Sequence, residues 1–300
     1  MKELSGRSIF MTGGTGFFGK SLLDWLLERE IFPEIITVCR APDEFLGRYP
    51  RFKRPEWRFL PSGLPDAAPD IAGNFDYVIH AASTLSYAPD VESFAVESAR
   101  HMIEFAAAHN AKTLFMSSGA VYGVMSEKVE EEQPLHPVSP YGRGKMRAEE
   151  LYAESGLPTV AVRAFTLTGN HQDLNREYAT SNFIKAALNG DPLVITGSGD
   201  TVRSYLHADE WVEWSLQLML HGAGVYNVGS EESITIRELA ELVNEFFDGK
   251  PGIIDRGEGA GSFYLPNIGK IRRDFGLAPR YSGVEALKKV IDYHKGVKSK

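Results

Sequence analysis

The stretch Thr12-Gly13-Gly14-Thr15-Gly16-Phe17-Phe18-Gly19 decides the fold of this 300-residue chain. It follows a short apolar run and opens a segment with helical periodicity. Glycines spaced in this way allow a tight turn, a close approach of the backbone to a pyrophosphate, and close packing of helix on strand. A glycine pattern alone also fits an ordinary tight turn, but this strand–turn–helix context favours binding of a dinucleotide at the helix start. The predicted cofactor contacts here are Gly13, Thr15, Gly16, Phe17, Phe18 and Gly19.

Strands and helices alternate through the first half of the chain. Apolar runs of strand length lie at residues 8–12, 35–39, 77–81, 113–117 and 159–163. Segments with helical periodicity lie at residues 20–30, 91–109 and 141–154. Strict alternation is typical of a parallel sheet covered by helices on both faces. We therefore predict an α/β fold, a Rossmann-like doubly wound parallel sheet with a smaller, irregular α/β substrate lobe.

The pattern becomes less regular after about residue 163. Pro, Gly and Asp interrupt short elements, as in Asn189-Gly190-Asp191-Pro192. A further strand is predicted at residues 224–228, and Thr235 with Glu238 has the spacing of a capping box at a helix start.

These changes predict two domains. We expect residues 1–165 to form the dinucleotide-binding domain, to which the chain returns around residues 204–230. Residues 166–300 are expected to form mainly the substrate-binding lobe. A chain of this length suits one large α/β domain with a smaller lobe.

Composition excludes several classes of function. With a net charge of -8 and no long Lys/Arg run, the chain is a poor candidate for binding nucleic acid. Two basic stretches, residues 48–58 and 288–300, are interpreted as solvated surface. Cys39 is the single cysteine, so an intrachain disulfide is excluded, and no Cys/His cluster has metal-ligand spacing. Without a signal peptide or a spanning apolar stretch, we expect a cytoplasmic protein with no membrane partner.

Tyr141-Gly142-Arg143-Gly144-Lys145 places a tyrosine and a lysine one helical turn apart on the same face. Upstream, Ser118 follows a predicted strand, whose carboxyl end borders the ligand crevice of an open parallel sheet. A phenol, with a free pKa of about 10, acts as a base at neutral pH when a nearby ammonium stabilises its phenolate. We therefore predict Tyr141 as the acid/base, Lys145 as its partner and Ser118 as the hydroxyl that orients the reacting oxygen.

Each of these three residues also has an ordinary structural interpretation. A tyrosine on a helix face, a solvated lysine and a turn serine are common. Their order after a glycine turn is the evidence for a catalytic role.

The end of the second predicted strand reads Val38-Cys39-Arg40, with no carboxylate before Asp43. NAD sites usually place an acidic residue there to bond the ribose hydroxyls, whereas an arginine accommodates a 2′-phosphate. Arg40 therefore favours NADP over NAD. A guanidinium stacked over the adenine is the alternative role for Arg40.

With these residues in place, the chain resembles the extended short-chain dehydrogenases/reductases, the NAD(P)-dependent nucleotide-sugar epimerase/dehydratase family. The resemblance covers nearly the whole length and includes residues 12–19, 78–83, 117–123, 141–145, 203–209 and 225–229. It implies the same roles for Tyr141, Lys145 and Ser118. It also implies that Tyr141 and Lys145 contact the cofactor and that Ala81, Ala82 and Ser83 lie along it.

The resemblance further implies substrate contacts at Ser118, Thr166, Asn182 and Arg203. Asn182 and Arg203 match positions at which the family grips the substrate diphosphate. The planar fork of an arginine bonds phosphate oxygens bidentately. An ion pair of Arg203 with a neighbouring aspartate is the alternative.

The chain also departs from the family pattern. Gly119 and Ala120 stand where the 4,6-dehydratases carry an Asp-Glu pair that eliminates water, which argues against a dehydratase. Thr166 replaces an asparagine that often contacts substrate, and Ala95 lies where an asparagine is common. The acidic pair expected near the adenine is missing around Leu60-Pro61-Ser62-Gly63. These departures bear on substrate identity more than on reaction type.

We predict an NAD(P)-dependent enzyme that transfers a hydride at C4 of a nucleoside-diphosphate hexose, as a 4-epimerase or a 4-keto-sugar reductase. Arg40 favours the reductase, and the family's usual activity favours the epimerase. Two other classes stay open: a non-catalytic dinucleotide-binding sensor, and a reductase of a non-nucleotide carbonyl compound. The resemblance also implies a homodimer through the helices at 91–109 and 141–154. His80 and His207 are interpreted as structural.

Overall fold

The computed structural model describes residues 1–62, 71–84, 87–176 and 178–298. Its strands are β1 Ser8–Thr12, β2 Glu34–Cys39, β3 Trp57–Pro61, β4 Tyr77–His80, β5 Lys112–Ser118, β6 Thr159–Ala164, β7 Leu167–Thr168, β8 Leu193–Ile195, β9 Val202–Arg203, β10 Leu206–His207, β11 Gly224–Val228, β12 Ile234–Thr235 and β13 Ile253–Asp255. Its helices are α1 Phe17–Glu28, α2 Pro42–Arg48, α3 Val91–His109, α4 Pro140–Glu154, α5 Ala179–Asn189, α6 Ala208–His221, α7 Ile236–Phe246, α8 Gly269–Phe275 and α9 Gly283–Lys298. Gly63, where an acidic pair is expected, and residues 299–300 of the second basic stretch lie outside the described residues.

The central sheet has seven strands in the order β11-β6-β5-β4-β1-β2-β3. From β3 to β6 the neighbouring strands are parallel, and Thr12 at the end of β1 aligns with Val38 on β2 and His80 on β4. The chain therefore moves outward from β1 on one side and resumes on the other side at β4. The predicted doubly wound α/β fold is confirmed, and its topological switch point lies at the carboxyl ends of β1 and β4, where such folds bind ligands.

The sheet packs against helices through a continuous apolar core. The ring of Phe10 on β1 lies 4.3 Å, centroid to centroid, from the ring of Phe105 on α3. Helices α3 and α4 lie side by side and are closely packed. A Cβ added to Gly144 would lie 3.0 Å from the Ala95 side chain. The small residues at these two positions let the two helices approach closely.

The interpretation of residues 48–58 as solvated surface was wrong for its aromatic members. Phe52 and Trp57 are buried, and Trp57 begins β3. The guanidinium of Arg54 lies 3.9 Å from the centroid of the Phe32 ring, and Arg51 is paired with Asp24. The guanidinium groups of Arg51 and Arg54 thus lie over the Phe52 and Phe32 rings while both side chains stay partly exposed.

The chain divides into two compact units. The first comprises residues 1–123, 134–164 and 212–226, and the second comprises residues 124–133, 165–211 and 227–300. In the second unit, α5, α7 and α9 share a core with β8. The predicted capping box is present at the start of α7, where Glu238 N donates to Thr235 Oγ1 and Thr235 N donates to Glu238 Oε2. No helix of the described chain is long and apolar enough to cross a bilayer.

Candidate functional site

The glycine turn lies directly against the loop that follows β4. Gly13 has a φ of +78°, and a Cβ there would lie 2.6 Å from the carbonyl carbon of Ala81. Ala82 N donates a hydrogen bond to Thr12 Oγ1 at 3.2 Å. Because both the backbone conformation and the space exclude a side chain, only glycine fits at position 13. The turn and the Ala81–Ala82 backbone are thus joined at the switch point of the sheet.

The other glycines of the turn bring helix α1 close to the sheet. A Cβ on Gly19 would lie 2.3 Å from Gly14 Cα, and one on Gly14 would lie 2.3 Å from Thr37 Oγ1. Gly14 is therefore a packing position that the sequence analysis did not include, although the Gly13-Gly14 pair was visible. Gly16 is the N-cap of α1, and no side chain caps this helix start. This bare helix start beside a glycine-lined turn fits the pyrophosphate of a dinucleotide.

The remaining predicted cofactor residues differ in exposure. Thr15, Phe17, Ala81 and Ala82 are half-buried, and Ser83 is exposed with its Oγ bonded to the Thr84 carbonyl. The side chain of Phe18 is buried in the core, so its part in cofactor binding is limited to its backbone. The glycine turn predicted Thr15, Phe17 and Phe18, and the family resemblance predicted Ala81 to Ser83. Which of these residues can offer a side chain follows only from the packing.

Arg40 follows the last residue of β2 and is exposed. Within the described ranges it makes no ion pair, and Ser62 N closes the neighbouring turn by bonding to Cys39 O. α2 begins at Pro42 and carries its acidic residues, Asp43 and Glu44, in its first turn. The second strand is thus followed by an exposed cation, for which the described residues provide no carboxylate partner.

Helix α4 begins with a Ser-Pro start that fixes Tyr141 in its first turn. Ser139 is the N-cap and accepts a hydrogen bond from Gly142 N, and Pro140 occupies the first helical position. A Cβ on Gly142 would lie 2.5 Å from the carbonyl oxygen of Ala120. The turn after β5 therefore packs on the first turn of α4, next to Tyr141.

Lys145 is buried, with 4% of its surface exposed. Its Nζ donates to the carbonyl oxygen of Met116 at 2.7 Å and lies 5.9 Å from the centroid of the Tyr141 ring. Burial lowers the pKa of Lys145 to about 8, although the charge of Glu149 opposes this change. The structure thus brings a buried, easily titrated ammonium next to the phenol of Tyr141.

Ser118 is the last residue of β5 and lies two residues beyond Met116. It is buried, and its Oγ accepts a hydrogen bond from Ala120 N at 3.2 Å, which caps the helical turn Gly119–Tyr122. The Ser118 oxygen therefore accepts one hydrogen bond, and a hydroxyl that accepts a bond can still donate its own proton.

The other predicted substrate residues belong to the second unit. Arg203 on β9 donates to the Val202 carbonyl at 2.8 Å and to Ser262 Oγ at 3.0 Å. Within the part of the chain that is described, Arg203 has no ion pair, so the alternative of pairing with a neighbouring aspartate is wrong. Thr166 is half-buried, and its carbonyl accepts from Leu206 N. Asn182 is exposed on α5.

Comparison with known sequences decides the family. The sequence model of the NAD dependent epimerase/dehydratase family matches residues 9–229. The chain belongs to this family. It is therefore an enzyme of the extended short-chain dehydrogenase/reductase type, whose members use NAD and act on nucleotide sugars, as the resemblance implied.

Relatives within this family have different activities. UDP-glucuronic acid decarboxylase 1 of Arabidopsis thaliana is 27% identical over 94% of this chain and 68% of the plant protein. The UDP-glucose 4-epimerase of Thermotoga maritima, solved with UDP-glucose, is 25% identical with a TM-score of 0.81 over 97% of this chain and 99% of that one. The UDP-glucuronic acid 4-epimerase of Bacillus cereus, solved with UDP-glucuronic acid and NAD, shows the same fold at 21% identity and a TM-score of 0.84 over 97% and 99%.

The sequence analysis missed a buried polar network under the site of this family member. Arg163 on β6 bonds both carboxylate oxygens of Glu149 on α4, at 2.7 to 3.2 Å. Its Nη1 also donates to Tyr122 Oη at 2.7 Å, and Ser117 Oγ donates to Glu149. A charged residue inside the apolar strand Thr159–Ala164 was the available signal, because a buried arginine needs a partner.

At the end of β4, only one of the two ring nitrogens of His80 has a hydrogen-bond partner among the described residues. Its Nδ1 lies 2.7 Å from Tyr152 Oη, whereas its buried Nε2 has no partner in the described chain. Burial, with a smaller contribution from the Lys145 charge, lowers the pKa of His80 to about 3. His80 is therefore neutral at physiological pH and adds no repulsion to the ammonium of Lys145. No group of three or more His, Cys, Asp or Glu side chains in the described ranges is arranged to hold a metal.

Proposed function

We propose that this family member transfers a hydride at C4 of a nucleoside-diphosphate sugar, as a 4-epimerase or a 4-keto-sugar reductase. Tyr141 is the acid/base, Lys145 its charged partner, and Ser118 the hydroxyl that orients the reacting oxygen. One observation carries the proposal: the buried Lys145 ammonium is bonded to the end of β5 and lies 5.9 Å from the Tyr141 ring. A surface lysine at this helical spacing would be solvated and would exert little effect on the phenol.

The glycine turn supports binding of a nicotinamide dinucleotide in the first unit. Gly13, Gly16 and Gly19 add no side chain at the start of α1, and the backbone of Ala81 and Ala82 borders the same turn. When bound, the nicotinamide supplies the hydride acceptor and donor of the reaction. Lys145 would also hold the nicotinamide ribose through its ammonium.

The proton steps fall to this chain's own side chains. Tyr141 takes the proton of the C4 hydroxyl as the carbon is oxidised, and it returns a proton when the ketone is reduced. The positive charge of Lys145 lowers the free energy of the phenolate, so the tyrosine can act at neutral pH. The Ser118 hydroxyl donates a hydrogen bond to the oxygen on which negative charge develops.

The second unit supports recognition of the substrate diphosphate. Arg203 is partly buried, and burial lowers its pKa, while only neutral groups bond its guanidinium in the described chain. A diphosphate would supply the missing counter-charge through two parallel hydrogen bonds. Asn182 and Thr166 would add neutral contacts. An apolar carbonyl substrate has no use for such a cation, which disfavours the non-nucleotide alternative.

Arg40 bears on both the cofactor and the direction of the reaction. Among the described residues the Arg40 guanidinium after β2 has no carboxylate partner, and it suits the 2′-phosphate of NADP, although relatives of known structure hold NAD. NADP favours net reduction of a 4-keto sugar, whereas an epimerase oxidises and reduces the sugar with no net change in its cofactor. Gly119 and Ala120 offer no acid or base for elimination of water, so we do not propose a dehydratase.

Two assays separate the candidates. A reductase consumes one NADPH for each 4-keto-6-deoxy sugar nucleotide that it reduces. An epimerase interconverts UDP-sugars that differ at C4 without net consumption of cofactor. Bound UDP, dTDP, GDP or CDP should raise the melting temperature in the order of nucleotide preference. Cofactor binding without turnover of any sugar nucleotide would instead support the dinucleotide-binding sensor.

We also propose a homodimer that forms through α3 and α4. Within one chain these helices already pack on each other, and the Arg143–Glu92 ion pair joins them at the surface. Sedimentation equilibrium measures the assembly state directly. A monomer at micromolar concentration would contradict this part of the proposal.

A further inference from the structure

An almost fully buried ion pair lies beneath the proposed proton-transfer residues. The side chains of Arg163 and Glu149 are 5% and 8% exposed, and Arg163 Nη2 lies 2.7 Å from Glu149 Oε2. A buried ion pair costs desolvation of two charges and often adds no stability over apolar residues of similar volume. A role besides stability would account for it.

The pair holds both ends of the segment that carries Ser118. Ser117 Oγ donates to the Glu149 carboxylate, and Tyr122 Oη accepts from Arg163. Ser118 lies between these two attachment points, at the start of the turn Gly119–Tyr122. The position of the Ser118 hydroxyl is therefore fixed from both sides by a single rigid pair.

Glu149 also faces the charge of Lys145. It lies one turn further along α4, so the two side chains are neighbours on the helix surface. The charge of Glu149 raises the pKa of Lys145 against the effect of burial. Among the described residues, the neutral His80 on β4 and Tyr141 on α4 are the other titratable groups near the ammonium. Arg163 on β6 lies behind Glu149.

We propose that Glu149 is a positioning residue of the reaction, which fixes the Ser118 segment through Ser117 and Arg163 and supplies the counter-charge of the Lys145 ammonium. This inference rests on the proposed roles of Ser118, Tyr141 and Lys145. Glu149 itself is shielded by the side chains that it bonds, so it acts on the substrate only through them.

Two variants separate the tether from the charge. Glu149→Gln keeps the shape and removes the charge, and Ser117→Ala removes one tether and keeps the charge. Glu149→Gln should lower kcat by about 10-fold or more, because a small displacement of a catalytic group is costly. It should also move the alkaline limb of the kcat/KM profile about one pH unit lower. Ser117→Ala should lower kcat without moving that limb.

The exposed neighbour Glu150 provides a matched control. It is paired with Arg147 on the outer face of α4, and Glu150→Gln should leave kcat, KM and the pH profile unchanged. KM for the nucleotide sugar should stay within about 2-fold in all three variants, because ground-state binding is not altered. A readout besides activity is the pH titration of Lys145 in the cofactor-free protein, followed by NMR of carbon-13-labelled lysine side chains. Its midpoint should fall in Glu149→Gln alone.

If Glu149→Gln fails to fold, a second variant still tests the inference. The double variant Glu149→Gln with Arg163→Met removes both charges and avoids an unpaired buried arginine, so it serves as the second test. A folded variant of either kind with the wild-type kcat and the wild-type alkaline limb overturns the inference, while the proposed function survives. Wild-type enzyme without turnover, or a fully active Tyr141→Phe variant, overturns the proposed function and this inference together.

Discussion

Lys145 Nζ donates a hydrogen bond of 2.7 Å to the carbonyl oxygen of Met116. The bond joins helix α4, which carries Tyr141, to the end of strand β5, which carries Ser118. A lysine side chain has many rotamers in solvent, but a buried and bonded one is held in a single position. The three predicted catalytic residues are thereby linked through one backbone carbonyl.

The pH dependence of activity should follow Lys145. Because burial lowers its pKa to about 8, kcat/KM should fall as the pH rises above about 8 and the ammonium loses its proton. The neutral His80 should contribute no limb near neutrality, since its pKa is about 3. Initial rates from about pH 6 to about pH 10 measure this, because that range covers the ordinary pKa values of histidine and lysine. A flat profile through about pH 9 would contradict the role of the ammonium.

Stability should change with pH in the opposite sense. The Lys145 pKa is lower in the folded chain than the unfolded value of 10.5, so below about 8 its burial costs stability in full. Between about 8 and 10.5 the unfolded chain binds more protons, and the free energy of unfolding should rise with pH from this residue. In Lys145→Met, the free energy of unfolding measured with urea should lack this rise with pH. Equal pH slopes in the two proteins would show that Lys145 is not buried as described.

Gly13→Ala should abolish cofactor binding. The substitution places a Cβ 2.6 Å from Ala81 in a left-handed backbone conformation, which should cost at least ~1 kcal/mol of stability. Gly47→Ala is the matched control, because its Cβ meets nothing within 4 Å and alanine should add ~0.5–1 kcal/mol on α2. Isothermal titration with NAD and NADP and urea unfolding test both variants. Undiminished cofactor affinity in Gly13→Ala would rule out this turn as the phosphate site.

Arg203→Ala should raise KM for the nucleotide sugar by about 10- to 100-fold, because it removes charge-assisted bonds to phosphate. The melting-temperature increase with UDP or dTDP should disappear as well. Arg273 is mostly exposed and paired only with its neighbour Asp274, so Arg273→Ala should change neither quantity. An unchanged KM in Arg203→Ala would contradict the proposal that Arg203 binds the substrate diphosphate.

Arg40→Asp should shift cofactor preference from NADP toward NAD. The variant loses the cation that suits a 2′-phosphate and gains a carboxylate that bonds ribose hydroxyls, so the ratio of the two Kd values should change by about 100-fold. Fluorescence titration with NADPH and NADH gives both constants. The same NADPH affinity before and after substitution would leave NAD as the cofactor of choice.

Most of the fold could be predicted because its signals are local. The predicted helix at 91–109 coincides with α3, and the capping box at Thr235 was visible as a spacing of residue types. Strand β3 was not predicted because basic residues surround it. The high positive charge of residues 48–58 gave no sign that Phe52 and Trp57 are buried. Contacts between arginine guanidinium groups and aromatic rings depend on tertiary packing, which a sequence window does not contain.

The site was predictable where a motif fixes residue types, and not where contacts cross between elements. Tyr141 and Lys145 follow from helical spacing, but the Met116 carbonyl that holds the lysine has no sequence signature. Glu149 and Arg163 lie on different elements and meet only after the chain folds. The unsatisfied Nε2 of His80 likewise depends on which side chains surround it.

The central claim is that Tyr141 moves the proton while a hydride is transferred between C4 of the sugar and the nicotinamide. Stopped-flow absorbance of the reduced nicotinamide during a single turnover tests it most directly, with Tyr293→Phe on α9 as the matched control. Wild type and Tyr293→Phe should show the same rate, and Tyr141→Phe should be slower by about 100-fold or more while binding the cofactor normally. A Tyr141→Phe variant that reduces the nicotinamide at the wild-type rate would contradict the account.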